Sequence, residues 1–451
     1  MSFRHALRRA LPLLLVLAAV PAQGEGPLYV GGDPSIPSAD ITGTPIEGKA
    51  FHFDPANFPL DYWTDQGGVG SMTKAQSDNL VQQAFAAWEG IGTASITFNK
   101  AGDLGDNVTA TNALAVINAV SDCSTLPGSP AGPIAKPRTI IYDDSLGSII
   151  SALDEDPNVV LGFADAVCFS GNGTDNFINR GYAVLNGKMI TATNASSLLL
   201  PVMIHEFGHM IGLDHSQVNV NCLGFCGAVD SEGLPTMFPI LVDPEAMSTP
   251  AVDDIAGISA LYPSATFAST TGTITGTVYF SDGLTPAAGF NVIARRVGDP
   301  RITASSSVSG FLFTGDAGNP IYQDPASGTP SPFGSHQPGD MGKYSIPGLP
   351  PGTYTLEVEG IHNTGSDAFT AGSGLNPVGY LGFEFNLLAP CSPLFLGSNS
   401  LTTCVSSGAR TISVTAGSTM PADIFLTGTT GELPCFDAWE NGPTSDCSGG
   451  P

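Results

Sequence analysis

The chain has 451 residues, too many for one ordinary core, so two domains are expected. Its 41 acidic against 15 basic residues give a formal charge of −26 at pH 7, which repels nucleic acid and anionic membrane surfaces and excludes both as expected partners. The same charge favours solubility and divalent cations, and its plainest meaning is a solvated acidic surface.

In chain order, residues 1–24 read as a secretory signal. Arg4, Arg8 and Arg9 form a basic start, Leu11 to Val20 an apolar stretch, and Val20-Pro21-Ala22 a small-residue cleavage site. That stretch is shorter than a membrane anchor needs, and no other segment is apolar enough to span a bilayer. A secreted, extracellular protein without a membrane span is therefore expected. Eight cysteines fit export, because thiols outside the cytoplasm oxidise. Pairing of sequential neighbours (123 with 168, 222 with 226, 391 with 404, 435 with 447) gives four short loops, each within one predicted domain. Residues 25–50, rich in Gly, Pro and Ser, are either a short pro-segment or a loosely held arm.

Residues 51–265 form the first predicted domain. A strand is expected at "FPLDYWTD" (58–65). The next segment carries Leu80, Val81, Ala84, Phe85 and Trp88 at helical spacing, with Thr73 and Gln76 as a capping box and Gly90 and Gly92 as the stop. Strands follow at "ASITF" (94–98), "RTIIYDD" (138–144), "VVLGFADAV" (159–167) and "GYAVLNG" (181–187). A second helix starts between Ser196 and Pro201. The sum is an α+β domain, a mixed twisted sheet with helices packed on it.

That second helix holds "HEFGHMIGLDHS" (205–216). Residues four apart share a helix face, so His205 and His209 aim at one ion, and Glu206 lies within reach of a water on it. Gly212 lets the chain reverse out of the helix and bring His215 round as a third ligand. Three neutral histidines leave a fourth position on zinc open, which is a catalytic arrangement. Glu206 is placed to act as general base for a zinc-activated water. The competing reading, a surface helix with coincidental histidines, fails on the third histidine and the glycine.

The stretch has the extended form HExxHxxGxxH of the metzincins and resembles the matrixins, which write it HExGHxxGLxHS. His205, Glu206, Gly208, His209, Gly212, Leu213, His215 and Ser216 agree with that pattern. "PTMFP" resembles the family's methionine turn, which implies that Met237 forms an apolar floor under the metal and is not a ligand. "VDDIAGISALYP", with Asp253 and Asp254, resembles the closing helix, and "LVQQAFAAWEGIGTASITF" the first helix and strand. The resemblance covers about residues 55–263. It implies a secreted zinc endopeptidase acting on protein or peptide substrates. Three departures qualify it. No cysteine switch precedes the domain, the first cysteine being Cys123. The region 100–179 is longer than a compact matrixin domain requires. "NCLGFC" (221–226) is unfamiliar, which leaves substrate preference open. Structural Ca2+ stays an open expectation, since Asp143-Asp144 and Asn172 to Asp175 offer oxygen ligands without a full binding loop.

Residues 266–429 alternate short apolar runs with Gly/Pro turns, an all-β pattern. "GTITGTVYFSDGLTPAAGFNVIARRV", "GLPPGTY" and "RTISVTAGSTMPADIFLTG" resemble carboxypeptidase regulatory-like, transthyretin-like β-sandwich modules, with residues 299–340 and 361–400 as long insertions. His336 and His362 are isolated and read as surface residues. Such a module either holds the protease near a substrate or stabilises the domain it packs on. Residues 430–451 read as a disulfide-pinned or disordered tail. A rival function of another class is an extracellular adhesion or binding protein whose protease domain is vestigial. Intact Glu206 argues against it. The sequence leaves oligomeric state unread.

Overall fold

A computed structural model describes residues 15–16, 26–32, 36–126, 136–191, 193–216, 218–219, 231–287, 290–313, 342–360, 394–403 and 406–427. The expected signal segment lies outside these apart from Leu15–Val16 (β1). The tail, His336, His362 and the cysteine pairs 222/226, 391/404 and 435/447 are likewise outside them.

The described residues between 26 and 50 include a packed stretch. Leu28, Tyr29 and Val30 are buried, and the Leu28 N–H donates to the Gly212 carbonyl at 2.7 Å. Ile41–Thr44 (β2) then pairs in parallel with a later strand. Apolar residues in the arm overrule its Gly/Pro texture. After His52–Phe53 (β3) and Leu60–Thr64 (β4) comes Lys74–Glu89 (α1), with the Thr73/Gln76 capping box formed and Gly90 as C-cap. Its side chains Leu80, Val81, Ala84, Phe85 and Trp88 are buried as the spacing predicts, each large one worth roughly 1.5–3 kcal/mol.

The next strand departs from expectation. Ala94 bridges Pro263 and Ser95 donates to the Tyr262 carbonyl, so the backbone of 94–95 is committed elsewhere and β5 runs Phe98–Asp103. Ala113–Ser121 (α2) and Ser148–Ala152 (α3) flank Arg138–Tyr142 (β6), the strand expected at 138–144, and add two helices to the long region 100–179. Gly162–Asn172 (β7) and Asn176–Leu185 (β8) form an antiparallel hairpin displaced by several residues from the expected strands. Cys123 and Cys168 are disulfide-bonded, tying the segment after α2 to β7.

The sheet order is β2-β7-β8-β6-β4-β5, with β3 also pairing β8. All pairs are parallel except β7 with β8, so the sheet is mixed. Leu200–Met210 (α4), entered through a π-helical turn over Ala195–Leu199, packs against α1 and β7. Ile240–Leu241 (β9) pairs with β1, and Val252–Leu261 (α5) and the short Phe267–Thr270 (α6) close this half.

The second half is all β in its strands. Gly272–Tyr279 (β10), Phe290–Arg296 (β11), Ala304–Val308 (β12), Lys343–Leu349 (β13), Gly352–Gly360 (β14), Leu394–Leu396 (β15), Thr402–Thr403 (β16), Ile412–Val414 (β17), Thr419–Pro421 (β18) and Ile424–Phe425 (β19) make two sheets, one built on β10 and one on β11 and β14. Ile274, Ile346 and Ile424 from one sheet share a core with Val292, Leu356 and Leu394 from the other. At the "GLPPGTY" corner the Tyr354 hydroxyl donates to the Pro350 carbonyl at 2.6 Å. β12 falls inside the expected 299–340 insertion yet pairs with β11, so that stretch is partly sheet.

Candidate metal centre

α4 is buried along almost its whole length, because α1 and β7 enclose it. Its position is pinned by Trp88, whose indole N–H donates to the Ile204 carbonyl at 3.0 Å, and by Phe85 stacked on Phe207 with centroids 4.3 Å apart. At its end Gly212 adopts φ +97°, a conformation costly for any residue with a Cβ, and the chain turns back. A Cβ at Gly212 would also lie 2.9 Å from Ile178.

The reversal brings His205, His209 and His215 together, with ligand atoms all within 4.8 Å of one another. Nε2 of His209 lies 3.0 Å from Nε2 of His205 and 3.2 Å from Nε2 of His215. His205 Nδ1 is 2.7 Å from the Thr236 carbonyl, and His209 Nδ1 is 2.9 Å from the Leu213 carbonyl. A carbonyl only accepts, so both rings carry their proton on Nδ1 and present a bare lone pair at Nε2. Burial lowers the pKa of all three, that of His209 to about 4, and the neighbouring imidazoles push His205 and His215 further down. The rings are held neutral, the form that ligates metal.

Two lone pairs facing at 3.0 Å repel unless a cation lies between them. Two nitrogens on a tetrahedral zinc at about 2.0–2.1 Å stand about 3.3 Å apart, close to the spacings here. The donor set therefore fits a metal ion, and the Nδ1 to carbonyl bonds are the usual outer partners of such ligands. Among the described residues this is the one group of three or more His, Cys, Asp or Glu side chains arranged to hold a metal. The oxygen-rich loops do not join it. Asp143 accepts the N–H groups of Asp144, Ile149 and Ile150, and Asn172 Oδ1 accepts those of Thr174 and Asp175. Both side chains organise their own turns.

Glu206 is fully buried, and neither carboxylate oxygen has a hydrogen-bond partner among the described residues. Burial pushes its pKa well above the ordinary carboxylate range. Such an orphan is rare, since most buried polar atoms are paired. Met237 is buried, and a Cβ on Gly208 would strike its sulfur at 2.3 Å, so only glycine lets α4 seat on that side chain. The turn carrying Met237 is fixed by Asp254, which accepts the N–H groups of Thr236 at 2.8 Å, Met237 at 2.9 Å and Ala251 at 2.5 Å. Thr236 in turn supplies the carbonyl that orients His205.

Gly162 at the start of β7 was not singled out by the sequence. A Cβ there would sit 3.2 Å from Glu206 Cγ and 3.0 Å from the Val184 carbonyl. No local pattern marks it, because the contact spans 44 positions. The same holds for the Thr236 and Leu213 carbonyls, which act through backbone atoms of any residue type. No family model matches the chain, and no curated protein matches it.

Proposed function

We propose that this chain is a secreted zinc endopeptidase of matrixin-like, metzincin type, cutting peptide bonds in extracellular proteins. The observation that carries the reading is Glu206: a buried carboxyl group without a partner among the described residues, next in sequence to His205, the first of three convergent imidazoles. No contact among the described residues calls for an unpaired carboxyl group there, and a proton-transfer role does.

His205, His209 and His215 would hold the ion through Nε2, with their Nδ1 protons or backbone neighbours fixing ring orientation. When bound, zinc supplies Lewis acidity, lowering the pKa of a water to about 7 and polarising the scissile carbonyl. Glu206 takes the proton of the attacking water on a carboxylate oxygen and returns it to the leaving amine, so no covalent acyl-enzyme forms. Met237 and Gly208 give the ligands an unyielding apolar base. Gly162 keeps side-chain bulk away from Glu206. The outer edge of β7 from Gly162 to Val167 pairs with no described strand, since β2 covers only Phe169 to Asn172. An extended substrate backbone can add to that edge as a further strand.

Cleavage of casein by the mature chain, with and without a zinc chelator and beside Glu206→Ala, tests the reading. Chelator-sensitive cleavage that vanishes in the variant is expected. Zinc uptake with no cleavage of a broad peptide library would shift the reading to the vestigial, binding-protein alternative.

A further inference from the structure

The β-sandwich contacts the metal-site loop directly. Asp253, buried on α5, divides its carboxylate between the two halves. Oδ2 accepts the hydroxyl of Ser216 at 2.5 Å, and Oδ1 accepts the backbone N–H of Ser306 in β12 at 2.8 Å. Ser216 is the residue after the third histidine. Its N–H donates to the Met237 carbonyl at 2.9 Å, and its hydroxyl oxygen accepts the Val218 N–H at 3.1 Å.

Two further contacts reach the same loop from the sandwich. Val218 is buried in a cluster with Ile293 of β11 and Ala304 of β12. Gly233, shortly before Met237, lies so close to the 301 backbone that a Cβ would fall 1.9 Å from the Arg301 carbonyl oxygen. The sandwich also rests on α5 itself, where a Cβ on Gly348 would come within 2.8 Å of Ala256. A tethered targeting module needs none of these, because a linker suffices for that purpose.

We infer that the β-sandwich is a clamp on the loop bearing His215 and Met237, with Asp253 as the positioning residue through which it acts. The inference rests on the metal-site reading for its consequence, since an outer partner that orients a ligand typically changes metal affinity 10–100-fold. The clamp itself is a property of the chain with or without metal. Its two halves, a shared carboxylate and an apolar contact, are separable by substitution.

The test uses the full mature chain as wild type, Asp253→Ala and Ile293→Ala, with Ile150→Ala as a control. Ile150 lies in the satellite core around α3, away from the loop. Amide hydrogen exchange is followed on the metal-free proteins, and zinc dissociation constants are measured by competition with a chelator. Asp253→Ala and Ile293→Ala should each speed exchange at 213–219 and 231–238 about tenfold or more and weaken zinc 10–100-fold. The control should do neither. Asp253→Asn keeps an acceptor for Ser306 and lets the Ser216 hydroxyl reverse its bond, so it should retain most of the protection. Should the alanine variant not fold, Ile293→Ala, which acts through Val218, carries the comparison. Unchanged exchange in both loop segments would overturn the clamp. A wild type that takes up no zinc would instead sink the metal reading, while the exchange comparison would still decide the clamp.

Discussion

Asp143 and Glu206 are both buried carboxylates of the first half of the chain, and their surroundings are opposite. Asp143 collects the N–H groups of Asp144, Ile149 and Ile150 and so starts α3, while Asp65 does the same for Gln66, Val108 and Tyr142. Asp254 takes three amides from two segments. Glu206 takes none. The fold surrounds its structural anions with backbone donors, the least costly way to bury a charge. A carboxyl group without such donors is the exception on which the proposed proton-transfer role rests.

Four predictions press on this contrast, from the largest effect down. Glu206→Gln should lower kcat/KM about 10³-fold while zinc still binds, and the unfolding midpoint of the metal-free protein should not fall, because no hydrogen bond is lost. A midpoint that drops sharply would make Glu206 a structural anion like the others. Asp254→Ala should cost about 3–5 kcal/mol in denaturant unfolding, since three N–H groups lose their acceptor, and it should also weaken zinc through Thr236 and His205. A loss below about 1 kcal/mol would remove it from the anchoring set.

The pH dependence of the metal-free protein sharpens the same point. Burial raises the Asp254 pKa from 3.8 to about 6 against the pull of its three amides. The folded state therefore holds this proton more tightly than the unfolded chain does. Its contribution to stability is full below about pH 4 and is lost as pH rises through about 6. Comparing the stability curves of wild type and Asp254→Asn from pH 4 to 7 isolates this component, which should be absent in the variant. The smallest effect is expected for Met237→Leu, a near volume-conserving change costing under about 1.5 kcal/mol with activity largely kept. Loss of zinc in that variant would give the sulfur a role beyond packing.

What the sequence made legible follows the range of the interactions. α1, its capping box and its buried face are local, and so are the spacing of His205, His209 and His215 and the exit through Gly212. Each rests on residues a few positions apart. α2 was missed because its pattern is diluted: Leu114 is exposed, and Val116 and Ile117 are only half-buried. The "ASITF" strand moved because Tyr262, 167 positions from Ser95, claims its backbone. The packed arm, the Gly162 contact with Glu206 and the bridge from Asp253 to Ser306 are all contacts between distant segments, and no periodicity announces them. The β-sandwich is half legible for the same reason. Its strands alternate visibly, while its seat on α5 involves Gly348, which looks like an ordinary turn residue.

Titration of the metal-free mature chain with zinc, beside His209→Ala, tests the central claim most directly. One ion bound per chain with a dissociation constant at or below the nanomolar range, and binding abolished or weakened by at least about 10³-fold in the variant, is the predicted result. No uptake by the wild type, or equal uptake by both proteins, would contradict the assignment of His205, His209 and His215 as one metal centre.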